Sequence, residues 1–278
     1  MDEVTFNELA KKRLVYQIPG MEQVPVQKDI TFKTVERLAL KMDVYYPQGM
    51  EQGMTCPAVI LVSGDPSPQF VERSKDIGIY ISYGQLIAAS GLVAVTFNHR
   101  SLEGYTKLHE VGSDVDDLVS YVRENSQSLG IDADALCIWA FSSGPLYGLR
   151  TAMRGAPAYI RCIVSYYGGM SILNKNYFPY TPEEEPMFQE FSPVHYLREM
   201  VEGIAPLFVV KSGIDQPALN ESIDEFVQEA STRNIPITFM NHPAGRHGFD
   251  ILNDDARSRE IIRATLEFVK GHLTDGAL

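Results

Sequence analysis

Residues 136–150 restrict the fold more than any other part of the chain. Leu136-Cys137-Ile138-Trp139 reads as a buried strand, Ala140-Phe141-Ser142-Ser143-Gly144 follows it, and the run through Leu149 and Arg150 reads as a helix. A serine centred on a turn between a strand and a helix sits in so tight a bend that the residues two before and two after it must be small. Ala140 and Gly144 meet that demand. Centring the turn on Ser143 would put Phe141 and Pro145 at those positions, where they do not fit. The bend holds the hydroxyl of Ser142 clear of the backbone at the carboxyl edge of a sheet. Ser142 is therefore the candidate nucleophile, and the chain must also supply a base, an acid and donors for an oxyanion.

The pattern around this turn tells what kind of sheet carries it. Residues 30–34 and 38–46 read as two paired strands. Short apolar runs at 57–62, 92–97, 136–141, 160–166, 207–211 and 235–240 read as buried strands. Between them lie helical spacings: 80–89, closed by Gly91; Val111, Val115, Leu118, Val119 and Val122; Leu219, Ile223, Phe226, Val227 and Ala230; and last Ile262, Leu266 and Val269. Continuously apolar strands alternating with amphipathic helices require a mostly parallel sheet covered on both faces. At 278 residues the chain is long enough for one such α/β domain, and no repeat or linker divides it, so residues 1–278 are read as a single domain.

One stretch departs from the alternation. Residues 170–200 hold Tyr177, Phe178, Tyr180, Met187, Phe188 and Phe191, four prolines and the acidic run Glu183-Glu184-Glu185. A long irregular segment in a compact domain is either a lid or substrate-pocket insertion, or an excursion that packs its own aromatics.

Charge and cysteine content narrow the partners. Lys and Arg number 24 against 36 Asp and Glu, a net charge of −12, and no basic cluster exceeds Lys11-Lys12-Arg13. Such a field repels phosphate backbones and anionic lipid, so neither nucleic acid nor a membrane is expected as partner. Asp2, Glu3 and Glu8 flank a segment with no apolar core, which does not read as a secretion signal. The three cysteines, Cys56, Cys137 and Cys162, fit free thiols in a reducing cytoplasm. Their spacing offers no Cys/His cluster for a metal, and no cofactor is expected. Homo-oligomerisation is left open.

Six histidines could serve as base. His247 stands in Ala244-Gly245-Arg246-His247-Gly248-Phe249-Asp250, a glycine-flanked loop between the last strand and the last helix, on the edge where parallel sheets gather their sites. His242, before Pro243, reads as a packing residue, and His99 as one that lines the mouth. His109, His195 and His272 read as solvated or structural. For the acid, Asp215 follows the strand at 207–211, and the order Ser…Asp…His is one that strand–turn–helix serines use. Asp250 is the reserve, on the far side of the histidine. Backbone N–H groups must hold the oxyanion. Ser143, following the nucleophile at a helix start, gives one. The loop Ser63-Gly64-Asp65 gives the other, with the Asp65 N–H preferred to that of Gly64 and the Asp65 carboxylate turned away.

With these residues in place the chain resembles the α/β-hydrolase superfamily, over nearly its whole length. Within it, Ser212-Gly213-Ile214-Asp215-Gln216-Pro217 and His242-Pro243-Ala244-Gly245-Arg246-His247-Gly248 look most like dienelactone-hydrolase-like carboxylesterases. The resemblance implies Ser142, Asp215 and His247 as nucleophile, acid and base. The chain departs from that branch in carrying serine where true dienelactone hydrolases have cysteine, and Ser63-Gly64-Asp65 replaces the HGGG loop of many lipases and esterases. The stretch ending at Leu197 is also similar to prolyl-oligopeptidase-type peptidases, whose propeller domain cannot fit here. The expected activity is hydrolysis of small-molecule carboxylic esters through an acyl-serine. A peptidase or amidase, an acyltransferase, and a non-catalytic binding protein on the same scaffold are the alternatives.

Overall fold

The structure, a computed structural model, describes residues 8, 10–65, 67–199 and 203–274. The amino-terminal segment read for a secretion signal, apart from Glu8, lies outside the described residues, as does Met200 at the end of the 170–200 excursion.

Eight strands form one sheet in the order β1-β2-β4-β3-β5-β6-β7-β8. β1 (Val26–Val35) and β2 (Leu38–Tyr45) form an antiparallel pair, β2 lies antiparallel to β4 (Val93–Phe97), and all other pairings are parallel. The parallel strands are β3 (Cys56–Val62), β4, β5 (Ile131–Phe141), β6 (Ile160–Tyr166), β7 (Leu207–Ile214) and β8 (Ile237–Arg246). Their uninterrupted apolar character has a direct cause. Ala58, Ile60 and Val62 of β3 enter the core on one face, while Val59 and Leu61 enter the core on the other. β5 divides in the same way, with Leu136, Ile138 and Ala140 opposite Cys137, Trp139 and Phe141.

The helices, in chain order, are α1 (Pro68–Val71), α2 (Gly78–Ala89), α3 (Leu108–Glu124), α4 (Gly144–Met153), α5 (Glu185–Glu190), α6 (Pro193–Glu199), α7 (Pro217–Thr232), α8 (Phe249–Leu252) and α9 (Ala256–Thr274). α3, α4 and α7 cover one face with Val115, Leu149 and Phe226; α2 and α9 cover the other with Tyr83, Leu86, Ile262 and Val269. The mostly parallel sheet with helices on both faces is the α/β-hydrolase architecture anticipated from the pattern. Among the described residues no helix is long and apolar enough to cross a membrane.

Two departures from the expected elements matter for the site. β8 does not stop at Met240 but continues through Pro243 to Arg246, and β7 runs on to Ile214. β8 is an edge strand, where a proline's missing N–H is tolerated. A register shift between Ser212 and Ile214 accommodates the extension, and Gly213 packs so closely on Pro243 that an added Cβ would lie 2.2 Å from its carbonyl oxygen. The paired extension carries Asp215 and His247 out beyond the sheet together.

The second departure concerns residues 170–199. They fold into α5 and α6 and pack onto the body of the protein. Phe188, Phe191, Val194 and Leu197 are buried in the α3–α4 core. Arg150 of α4 bonds Glu190 of α5 at 2.7 Å and Asp116 of α3 at 2.8 Å, and its guanidinium stacks on the Phe191 ring. Tyr180 stacks on Phe188 with centroids 4.4 Å apart. The excursion packs these aromatics against α3 and α4.

Candidate active site

The strand order reverses direction between β3 and β5, because β4 lies beyond β3 on one side and β6 beyond β5 on the other. Open α/β sheets bind ligands outside the carboxyl ends of strands at such a switch point. Gly64 leaves β3 there and Ser142 leaves β5. Ser142 has φ of 58°, a left-handed conformation that non-glycine residues seldom adopt and that the surrounding packing must enforce. Its N–H donates to the Tyr166 carbonyl at 3.2 Å, and its carbonyl accepts the Gly169 N–H at 2.7 Å. Gly144 is indispensable to the bend: a Cβ there would lie 2.6 Å from the Val62 carbonyl oxygen.

The imidazole of His247 lies between the hydroxyl and a carboxylate. His247 Nε2 is 2.9 Å from Ser142 Oγ, and Nδ1 is 2.7 Å from Asp215 Oδ2. A carboxylate can only accept, so Nδ1 carries the proton and Nε2 is left to receive that of Ser142. The other Asp215 oxygen accepts the Gln216 N–H at 2.7 Å, which fixes the carboxylate. The Tyr167 ring packs against the imidazole, with centroids 4.7 Å apart. Three groups remote in sequence thus share one chain of hydrogen bonds at the rim of the sheet.

The reserve acid sits elsewhere. Asp250 is fully buried and accepts hydrogen bonds from Tyr83 at 2.7 Å and Tyr167 at 2.9 Å. Burial pushes its carboxyl up to about 6. It lies behind the imidazole rather than on Nδ1.

The loop after β3 corrects one expectation. The Asp65 N–H donates to the Ser143 hydroxyl at 2.8 Å and so is not free for an oxyanion. The carboxylate of Asp65 is turned away, accepting from the Ser101 hydroxyl at 2.8 Å and from the Leu102 N–H. Gly64 approaches the nucleophile instead. A Cβ on it would fall 2.6 Å from the Ser142 Cβ, so only glycine fits there. The Ser143 N–H, ahead of α4, bonds no acceptor among the described residues.

His99 does not line the mouth. It is fully buried, its Nδ1 bonds the Arg100 carbonyl at 2.7 Å, and its Nε2 faces the Ser63 hydroxyl at 2.9 Å. Burial holds it below the usual imidazole range and hence neutral. The shorter carbonyl contact puts the proton on Nδ1, so Nε2 accepts from Ser63. His242 is a buried packing residue, 3.0 Å from Ser258 Oγ. His109 is largely exposed beside Glu190. His195 and His272 pack on Tyr196 and Phe268.

A cavity of about 170 Å³ opens beside Ser142 and His247, walled by Phe70, Ile77, Ile79, Tyr80, Ile251 and Leu252. None of the described residues of the 170–199 excursion lines this cavity; Gly64, Phe70, Ile77, Ile79 and Tyr80, from the stretch after β3, do. A more polar hollow of about 210 Å³ lies against Ser143 and Asp65, with Ser67, Ser101, Glu103 and Tyr105 in its wall. Sequence reasoning passed over Tyr80, Tyr167 and the apolar wall. The only signal for them was their apolar and aromatic character, which serves core and cavity alike. Among the described residues no group of His, Cys, Asp and Glu could hold a metal ion.

Fold, elbow and hydrogen-bonded serine together define an α/β hydrolase. The BD-FAE family model matches residues 42–222, more than half of the chain. The chain belongs to the BD-FAE family, α/β-hydrolase esterases, and is a carboxylic ester hydrolase. The match takes in Ser142 and Asp215 and ends before His247. The chain is similar in fold to the thermophilic esterase Est2 of the planctomycete Thermogutta terrifontis, with a TM-score of 0.70 and 17% identity over 98% of this chain and 100% of that one. A truncated carbohydrate esterase from gut microbiota has a TM-score of 0.72 and 17% identity over 90% and 96%. The Thermogutta esterase phosphoramylated by tabun aligns with a TM-score of 0.65 and 16% identity over 94% and 97%. No curated protein sequence matches significantly.

Proposed function

We propose that the chain hydrolyses small-molecule carboxylic esters through an acyl-enzyme intermediate on Ser142. The observation that carries this reading is the unbroken line Ser142–His247–Asp215, with contacts of 2.9 and 2.7 Å. Ser142 Oγ attacks the ester carbonyl carbon while His247 Nε2 takes its proton. Asp215 holds the tautomer and stabilises the imidazolium. The Ser143 and Gly64 N–H groups receive the oxyanion, and losing one such donor costs on the order of 3 kcal/mol of barrier. The tetrahedral species collapses as the imidazolium protonates the departing alcohol. Water, deprotonated by the same nitrogen, then releases the acid.

The two hollows on either side of the serine suggest how an ester would lie. The apolar cavity of about 170 Å³ suits the acyl group. An apolar cavity of about 150 Å³ holds one benzene molecule, so an acyl group of about that bulk fills it. The polar hollow at Ser67, Ser101 and Tyr105 suits a hydroxylated alcohol, in keeping with the description of one structural neighbour as a carbohydrate esterase. The likeness to dienelactone-hydrolase-like carboxylesterases belongs to the same proposal, with serine in the cysteine's place. So does a cytoplasmic location, which suits the three free thiols.

A panel of p-nitrophenyl esters of graded acyl length, run beside matched anilides and with added alcohol as acceptor, tests the reading. Ester hydrolysis should exceed anilide cleavage, and free acid should exceed transferred acyl product. Dominant anilide cleavage would make the chain an amidase; dominant transfer would make it an acyltransferase.

A further inference from the structure

We propose that Tyr147 is a positioning residue for the oxyanion site: its hydroxyl clamps the Ser63 carbonyl and so aims the Gly64 N–H toward Ser142. The inference rests on the acyl-serine reading above and names the side chain that sets one of its donors.

Gly64 is a demanding place to keep a donor. Glycine has no Cβ to limit its backbone, and Gly64 lies past Val62, the last residue of β3 in the ladder. Its amide must be oriented from outside the strand. A donor that has to reorient as the oxyanion forms gives up much of its value, because preorganisation is what makes such groups effective.

The holding group comes from the nucleophile's own helix. Tyr147 stands four residues after Ser143, so both side chains look the same way from the start of α4. The Tyr147 hydroxyl donates to the Ser63 carbonyl at 2.5 Å. The Ser143 hydroxyl accepts the Asp65 N–H at 2.8 Å. The loop is thus gripped one residue before Gly64 and one residue after it. Close packing adds to the grip, since a Cβ on Gly144 would lie 3.1 Å from the same Ser63 oxygen.

A clamp on the carbonyl fixes the amide as well. The Ser63 C=O and the Gly64 N–H belong to one peptide unit, and no cis peptide occurs among the described residues. In a planar trans unit the two groups point in opposite directions. The carbonyl turns toward Tyr147, which is buried in the α3–α4 core. The N–H therefore turns to the other side, where Gly64, Ser142 and His247 wall the apolar cavity.

Ser63 is steadied from a second direction. Its hydroxyl donates to His99 Nε2 at 2.9 Å, and the His99 Nδ1–H is held by the Arg100 carbonyl at 2.7 Å. Arg100 is bound in turn by the buried Asp114 of α3, at 2.8 and 2.9 Å. The Tyr147 hydroxyl lies 3.5 Å from His99 Nε2, so the carbonyl is its close partner. Tyr147 is fully buried, and burial raises its phenol well above the ordinary value, so the clamp keeps its proton.

Tyr147 acts through Gly64, so its loss should appear in the chemical steps and not in substrate binding. The test compares wild type with Tyr147→Phe, which keeps the ring and its packing on His99. Active sites are counted by fluorophosphonate labelling carried to completion. Per labelled site, kcat should fall roughly 30-fold, with KM within about two-fold. Affinity for a trifluoromethyl ketone, whose hemiketal carries the oxyanion, should fall by a similar factor. Ser63→Ala loosens the same peptide unit from the His99 side and should cost roughly ten-fold in kcat. Unchanged kcat per site and unchanged ketone affinity in Tyr147→Phe would overturn the proposal, even if the variant is less stable. Should Tyr147→Phe not fold, unchanged values in Ser63→Ala would overturn it instead. Wild type that takes no label on Ser142 would sink the acyl-serine reading itself, and the inference with it.

Discussion

Two irregular segments interrupt the regular alternation of this chain, and they have opposite fates. Residues 170–199 are rich in aromatics and acids and attract attention as a lid, yet they are fastened to α3 and α4 by Arg150 and by buried Phe188 and Phe191. The segment from Gly64 to Tyr80 is shorter and plainer, yet Phe70, Ile77, Ile79 and Tyr80 wall the cavity at the nucleophile. The difference lies in where each segment leaves the sheet. The second departs from β3 at the switch point, next to β5, and has to pass over the serine. The first departs from β6, and its exposed charges leave apolar side chains enough to bury against two helices. Aromatic content does not tell a cover from a buttress; the strand of departure does.

The largest expected effect sets the scale for both segments. Asp215→Asn should lower kcat by about four orders of magnitude by favouring the wrong tautomer of His247, and steady-state rates on p-nitrophenyl butyrate would show it. A near-normal rate would remove Asp215 from the machinery.

Next comes the buttress. Phe191→Ala should cost about 3–5 kcal/mol of stability, read from urea unfolding, while the kcat/KM of the folded fraction stays within about two-fold. A large loss of kcat/KM at unchanged stability would restore the lid.

A somewhat smaller effect concerns the floor behind the base. Asp250 titrates at about 6 in the fold against an ordinary 3.8. The folded state therefore binds this proton more tightly than the unfolded chain does. Its contribution favours the fold below the ordinary value and is lost as pH rises through about 6. Wild type should lose up to about 3 kcal/mol relative to Asp250→Asn between pH 4 and pH 7.5. Parallel stability curves for the two proteins across that range would show that the carboxyl is not perturbed.

The smallest effect is in the cover. Ile79→Ala should shift the preferred acyl chain to a longer one, changing the ratio of kcat/KM between long and short esters by about ten-fold. An unchanged ratio would take Ile79 out of the acyl wall.

The sequence revealed the site unevenly, and the reasons are physical. Ser142 was legible because a sharp bend imposes local steric demands at Ala140 and Gly144. His247 and Asp215 were legible as strand-end residues on one edge. The choice between the Asp65 and Gly64 N–H groups was not, because the Ser143 hydroxyl that engages Asp65 lies 78 residues away in sequence. The length of β8 was misread because Pro243 looks like a terminator, and only its place at the sheet edge makes it harmless. His99 lies just past its strand, but the ring turns inward to Ser63 and Tyr147, a direction that no spacing encodes.

The central claim is that the hydroxyl of Ser142 is made reactive by His247. Reacting the full chain with a fluorophosphonate probe and mapping the modified peptide by mass spectrometry tests it directly. The account predicts one adduct per chain, on Ser142, formed far more slowly in His247→Ala. An adduct on Ser143 or any other residue, or a labelling rate indifferent to His247, would contradict it.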